Sequence, residues 1–81
     1  MEVKLFQKTQ RDLATTINQV IDKYWEDEID EKKMIELIQQ LYTTNTSKFM
    51  KEGVYTTILR QQCGKRRLEV VDQVISQSNV K

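Results

Sequence analysis

Leu13, Ile17, Val20, Ile21 and Tyr24 follow one another at steps of four, three, one and three, with mostly polar residues between them. That spacing puts all five on one stripe of a helix and predicts a helix from about residue 10 to residue 25. Thr9 with Asp12 three positions on resembles a capping box, with Asp replacing the usual Glu or Gln. Trp25, at the end of this stripe, is expected to close the core rather than bind a ligand. The acidic turn "EDEIDE" (residues 26–31) comes next. Asp30 is suited to N-cap a second helix, and Ile29 and Met34 stand where a hydrophobic staple would form. Met34, Ile35, Ile38, Leu41 and Tyr42 then share one face, which predicts a helix over about 31–43. So short a connection makes the two helices an antiparallel hairpin.

The stretch "TTNTSKFMKEG" loses the helical period and reads as a connection, with Phe49 and Met50 folding back onto the hairpin. After Gly53, Val54, Tyr55, Ile58 and Leu59 resume it. Extending that stripe would need apolar residues near 62 and 66, where Gln62 and Arg66 stand. A new stripe starts at Leu68 and continues through Val71, Val74 and Ile75, with Val70 beside it. The slip falls at Gly64, as expected of a glycine at the C′ position of a third helix followed by a fourth. A continuous helix over 55–77 is the other option, because a lone glycine costs only ~1 kcal/mol. The opening "EVKLF" alternates and reads as a short strand or extended arm, paired with residues 48–55 or with a second subunit. The expected fold is one all-α domain over residues 1–81, a bundle of about four helices in two hairpins, with or without a short N-terminal strand.

Composition narrows the class. At 38% hydrophobic and 31% charged residues, with no proline, the chain has the make-up of a helical globular domain. The net charge is +1, which excludes a basic nucleic-acid coat over the whole molecule. The charge is nonetheless uneven. Residues 1–40 carry six cations and nine anions (−3), and residues 41–81 carry seven and three (+4). Either the halves pair with each other or the second half presents a basic surface to a partner. Cys63 is the sole cysteine, so an internal disulfide is impossible. The start lacks the apolar stretch of a signal peptide, and no apolar run nears the ~20 residues that span a bilayer. The expected location is cytoplasmic, away from membranes. On that reading the glycosylation sequon Asn45-Thr46-Ser47 is a chance match.

Candidate chemistry is sparse. The absence of histidine removes Ser–His and Cys–His nucleophile pairs and the commonest general base. The acidic turn lacks the glycine and alternating ligand spacing of a calcium loop, and one cysteine cannot build a structural zinc site. No metal or cofactor is expected. Cys63 fits a small buried core residue better than a reactive thiol. The expectation is a protein that is not an enzyme.

The feature that remains is "CGKRRLE" (residues 63–69), which places Lys65, Arg66 and Arg67 directly after Gly64. If a helix restarts there, these cations crowd its electropositive end, an unfavourable arrangement unless something negative lies close by. Arg60, one turn earlier, can join the same patch. A partner- or anion-binding site made of Arg60, Lys65, Arg66 and Arg67 is one reading, with another protein as the partner. Helix-turn-helix nucleic-acid binding is the alternative: Leu59, Gly64 and Val70 fit that pattern, whereas Arg60, Lys65 and Gln73 do not. The outward face of the last helix would then hold Arg66, Glu69, Gln73 and Ser76, with Asp72 near its edge, and the carboxylates oppose a phosphate backbone. A purely structural role has the basic turn meeting the protein's own "EDEIDE". The unpaired N-terminal arm adds a homodimer to the expectations.

The segments "MEVKLFQKTQRDLA", "YWEDEIDEKK" and "TTILRQQCGKRRLEVV" resemble a family of small uncharacterised bacterial proteins of similar length. The resemblance covers most of the chain. It implies a compact bacterial cytoplasmic domain and carries no activity and no functional residue with it.

Overall fold

The computed structural model describes residues 3–78. Helix α1 spans Gln10–Trp25 and α2 spans Glu31–Thr44. A single turn, α3 (Thr46–Phe49), leads into strands β1 (Met50–Lys51) and β2 (Val54–Tyr55), and α4 covers Thr57–Ser78 with a break at Gly64. The first two helices lie where the apolar period puts them, and their caps form as expected. The Asp12 N–H donates to the Thr9 hydroxyl at 3.0 Å, and the Lys33 N–H donates to the Asp30 carboxylate at 2.8 Å. α1 ends in a Schellman motif. The Glu28 N–H donates to the Lys23 carbonyl at 2.9 Å and the Asp27 N–H to the Tyr24 carbonyl at 3.1 Å, with Asp27 at φ 63° in the usual glycine position.

The core is one cluster shared by α1, α2 and both arms of α4. Leu13, Ile17, Val20 and Ile21 of α1 meet Met34, Leu37, Ile38 and Leu41 of α2 and Leu59, Cys63, Val71, Val74 and Ile75 of α4. α1 runs more extensively along α4 than along α2. Phe49 is fully buried beside this cluster and meets the Tyr42 ring edge-on at 5.3 Å.

Two expectations need correction. Trp25 does not close the core; it is 45% exposed at the end of α1. Val54 and Tyr55 do not begin a helix. They form β2, which pairs antiparallel with β1, Met50 opposite Tyr55 and Lys51 opposite Val54. Glu52 (φ 56°) and Gly53 (φ 83°) turn the chain between them, the pair of positive dihedrals that a two-residue hairpin requires. Of the two options for "EVKLF", whose Glu2 lies outside the described residues, the arm is the one formed: residues 3–7 carry no strand, and Val3 and Leu5 pack against the core.

Asn45 fixes that arm in place. It is 2% exposed; its amide nitrogen donates to the carbonyls of Leu5 (2.7 Å) and Leu41 (3.0 Å), and its amide oxygen accepts from the Gln7 N–H (3.1 Å). The sequon asparagine is therefore a buried structural clamp.

Candidate functional site

Gly64 has φ 77° and ψ 170°. The positive φ was expected, but ψ takes the residue out of the left-handed helical C′ conformation into a region that glycine alone occupies readily. One residue therefore redirects α4 without an intervening loop. The break frees carbonyls that a straight helix would satisfy, and side chains take them up. Asn18 on α1 donates its amide to the Gln62 carbonyl at 2.9 Å, and Arg67 donates to the Cys63 carbonyl at 3.4 Å. Cys63 faces inward, close to the Ala14 carbonyl (3.9 Å). Burial pushes its thiol up to about 11, against the pull of the nearby Arg67 charge.

The four predicted site residues divide into two pairs. Arg66 and Arg67 turn toward the end of α1, their guanidinium carbons 5.8 and 5.6 Å from the centroid of the Trp25 ring. Arg67 also donates through Nε (3.1 Å) and Nη2 (2.8 Å) to one carboxylate oxygen of Asp22. Both partners are partly exposed, 31% and 40%, so screening holds this contact to about 0.5–1 kcal/mol. The cations are tolerated at the start of the second arm because they lie beside the C-terminal, electronegative end of another helix and a carboxylate on it.

The acidic turn is not their partner. Among the described residues, no ion pair links 26–31 to Lys65, Arg66 or Arg67. Glu28 instead pairs with Lys23 at 3.0 Å. The hydrogen bond and charge of that lysine lower the Glu28 carboxyl below its usual range. Glu26, bonded to Glu28, is raised.

Arg60 and Lys65 form the second pair. They line an open groove of about 400 Å³ together with Tyr55, Leu68, Glu69 and Asp72. Lys65, Leu68, Glu69 and Asp72 lie at i, i+3, i+4 and i+7, one stripe of the second arm, which borders the core face at the half-buried Leu68. Tyr55 reaches across from β2 and donates its hydroxyl to Asp72 at 3.3 Å. Burial, reinforced by that carboxylate, raises its phenol well above the ordinary tyrosine range. Among the described residues, Arg60, Lys65 and Glu69 make no ion pair.

The sequence reading did not anticipate Tyr55 and Leu68 in this site and placed Glu69 and Asp72 only on a hypothetical DNA-facing surface. The i, i+3, i+4, i+7 spacing of Lys65, Leu68, Glu69 and Asp72 was the signal available. Among the described residues, no three His, Cys, Asp or Glu side chains are grouped to hold a metal ion. Nor is any helix among them long and apolar enough to cross a membrane.

The chain belongs to a family described as conserved hypothetical protein, whose family model matches residues 4–76 and so covers the whole architecture from the N-terminal arm into the last turns of α4. No match was found among curated proteins or among solved structures.

Proposed function

We propose that the protein is a small, non-catalytic cytoplasmic regulator or adaptor that contacts another protein through the face of α4 around Gly64. The observation that carries this reading is the groove, which the half-buried Leu68 and Tyr55 line together with the cations Arg60 and Lys65 and the carboxylates Glu69 and Asp72. An apolar centre within a charged rim is the anatomy of a protein interface.

The mixed charge argues for protein over nucleic acid, because two carboxylates on the same face repel a phosphate backbone. The one-residue break at Gly64 likewise lacks the three- to four-residue turn of a helix-turn-helix. The exposed Trp25 beneath Arg66 is the feature that favours the nucleic-acid alternative, since aromatic and guanidinium groups stack on bases.

Arg60→Glu/Lys65→Glu is the informative variant, because neither side chain makes an ion pair among the described residues. Proteins captured by the immobilised wild type should be lost from this variant while its melting temperature is retained; an unchanged set removes this face from consideration. Fluorescence anisotropy with random duplex DNA and RNA at low salt checks the alternative, and tight, salt-sensitive binding there would displace the protein-partner reading.

A further inference from the structure

Gly64 is the residue of α4 whose dihedrals are not helical, so two helical arms meet there with no loop between them. The bent form is unfavourable at this point in two ways. It starts a second helix with Lys65, Arg66 and Arg67 at its electropositive end. It also holds Asn18, whose amide nitrogen donates to the Gln62 carbonyl, with a buried Oδ1 that has no hydrogen-bond partner among the described residues. A straight α4 makes the three cations interior residues of one helix and bonds the Gln62 carbonyl within it, which releases Asn18.

Straightening takes the second arm off its own core. From φ 77° and ψ 170° to helical values, the Gly64 dihedrals turn by about 140° and 150°. Residues 65–78 then swing away as a rod of ~21 Å. The face they leave is matched by known side chains. Val71, Val74 and Ile75 are buried in the cluster that α1 and α2 share with α4, and the vacated surface is complementary to them. The same arm of a second straightened chain fits it, which is the logic of an exchanged element.

We propose that Gly64 is an exchange hinge: α4 straightens through it, and residues 65–78 of each of two copies pack on the α1 and α2 core of the other. The groove straddles the break, with Tyr55 and Arg60 before it and Lys65, Leu68, Glu69 and Asp72 after it, so exchange rebuilds that face from two chains. The exchange itself does not depend on what the groove binds.

Two variants bias the hinge in opposite directions. In Gly64→Ala the added Cβ meets nothing within 4 Å, so the change acts through the backbone alone, disfavouring φ 77° and favouring a continuous helix. Lys65→Pro does the reverse. Lys65 is exposed and is the first helical residue after the break, a position that accepts proline, whereas in a straight α4 the ring would clash with the Gln61 carbonyl and remove its bond.

Each protein is refolded from urea at about 1 mM, the effective concentration of a short tether, and its mass is read by sedimentation equilibrium. The wild type should give dimer beside monomer, Gly64→Ala should dimerise at least about tenfold more tightly, and Lys65→Pro should give monomer alone. When isotope-labelled and unlabelled wild-type chains are refolded together, nuclear Overhauser contacts in the dimer should run from the Val71, Val74 and Ile75 methyls of one chain to Ile17, Val20 and Ile21 of the other. A wild type that refolds to monomer only, a folded Gly64→Ala no more dimeric than wild type, a Lys65→Pro that dimerises as wild type does, or a dimer without those interchain contacts overturns the proposal. If either variant fails to fold by circular dichroism, the wild-type dimer and its interchain contacts decide alone.

Discussion

Asn45 offers the sharpest test of how the N-terminal arm is held. In Asn45→Ala, the Leu41 carbonyl keeps a partner in the Asn45 backbone N–H at 3.0 Å, but the Gln7 N–H and the Leu5 carbonyl lose theirs. Leaving a buried polar group unsatisfied costs about 1–3 kcal/mol. Two such groups, relieved in part by the arm lifting into water, put the loss at about 2–4 kcal/mol. A chain of 81 residues has a total stability of roughly 4–12 kcal/mol, so the melting temperature should fall by about 10–25 °C.

Asn45→Asp separates hydrogen bonding from packing, because it keeps the shape and the acceptor toward Gln7 while replacing the donor. Below about pH 4 the acid is protonated, its O–H can serve one of the two carbonyls, and stability should approach wild type. Above that, burial beside two carbonyl oxygens holds the folded pKa above the unfolded value of ~3.9, so the folded state binds more protons and stability falls as pH rises. Each pH step of one between the unfolded and folded pKa values removes about 1.4 kcal/mol, and the loss levels off once the folded pKa is passed. Urea denaturation of wild type and variant at about pH 4 and about pH 7 measures this difference directly, and hydrogen exchange at the Gln7 amide reports whether the arm has lifted. A wild-type-minus-variant difference that does not change with pH, or a Gln7 amide equally protected in Asn45→Ala, would refute the clamp.

Other positions carry simpler expectations. Asp27 at φ 63° fills a helix-terminal position suited to glycine, so Asp27→Gly should raise stability by about 0.5–1 kcal/mol in thermal melts. Gly64→Ala should lower it by about 1–3 kcal/mol; a Cβ there meets nothing within 4 Å, so the cost is backbone strain and no neighbouring cavity change can relieve it. The Cys63 thiol, pushed up to about 11 by burial, should resist alkylation in the native state and react at the rate of structural opening. Because its folded pKa exceeds the unfolded value of ~8.5, its contribution is intact below that pH and declines as pH rises toward 11, a slope that Cys63→Ala should flatten.

Much of the helical framework could be read from local pattern. The stripe Leu13, Ile17, Val20, Ile21 places α1, and Thr9, Asp30 and Gly64 punctuate the chain through groups within about one turn of themselves. Strands of two residues are too short to display alternation, so β1 and β2 left no periodic trace and Val54 and Tyr55 passed for the start of a helix. The break at Gly64 was legible, but its dihedral was not, because the same glycine can end a helix or bend one.

The basic turn and the clamp mark the boundary between sequence and tertiary structure. The sequence alone established that Lys65, Arg66 and Arg67 crowd a helix start and need something negative nearby, since that follows from charge and helix polarity within a few residues. It could not choose between Asp22 and the acidic turn, since both lie about forty residues away and only the alignment of α1 with α4 brings one of them into reach. The same alignment parts Arg60 and Lys65 from Arg66 and Arg67, and helix packing carries Asn45 to Leu5 and Gln7. Side-chain periodicity and capping act over one or two turns and are written in the order of residues. Which charge meets which across the core depends on how whole helices pack, and that is decided only when the chain is folded.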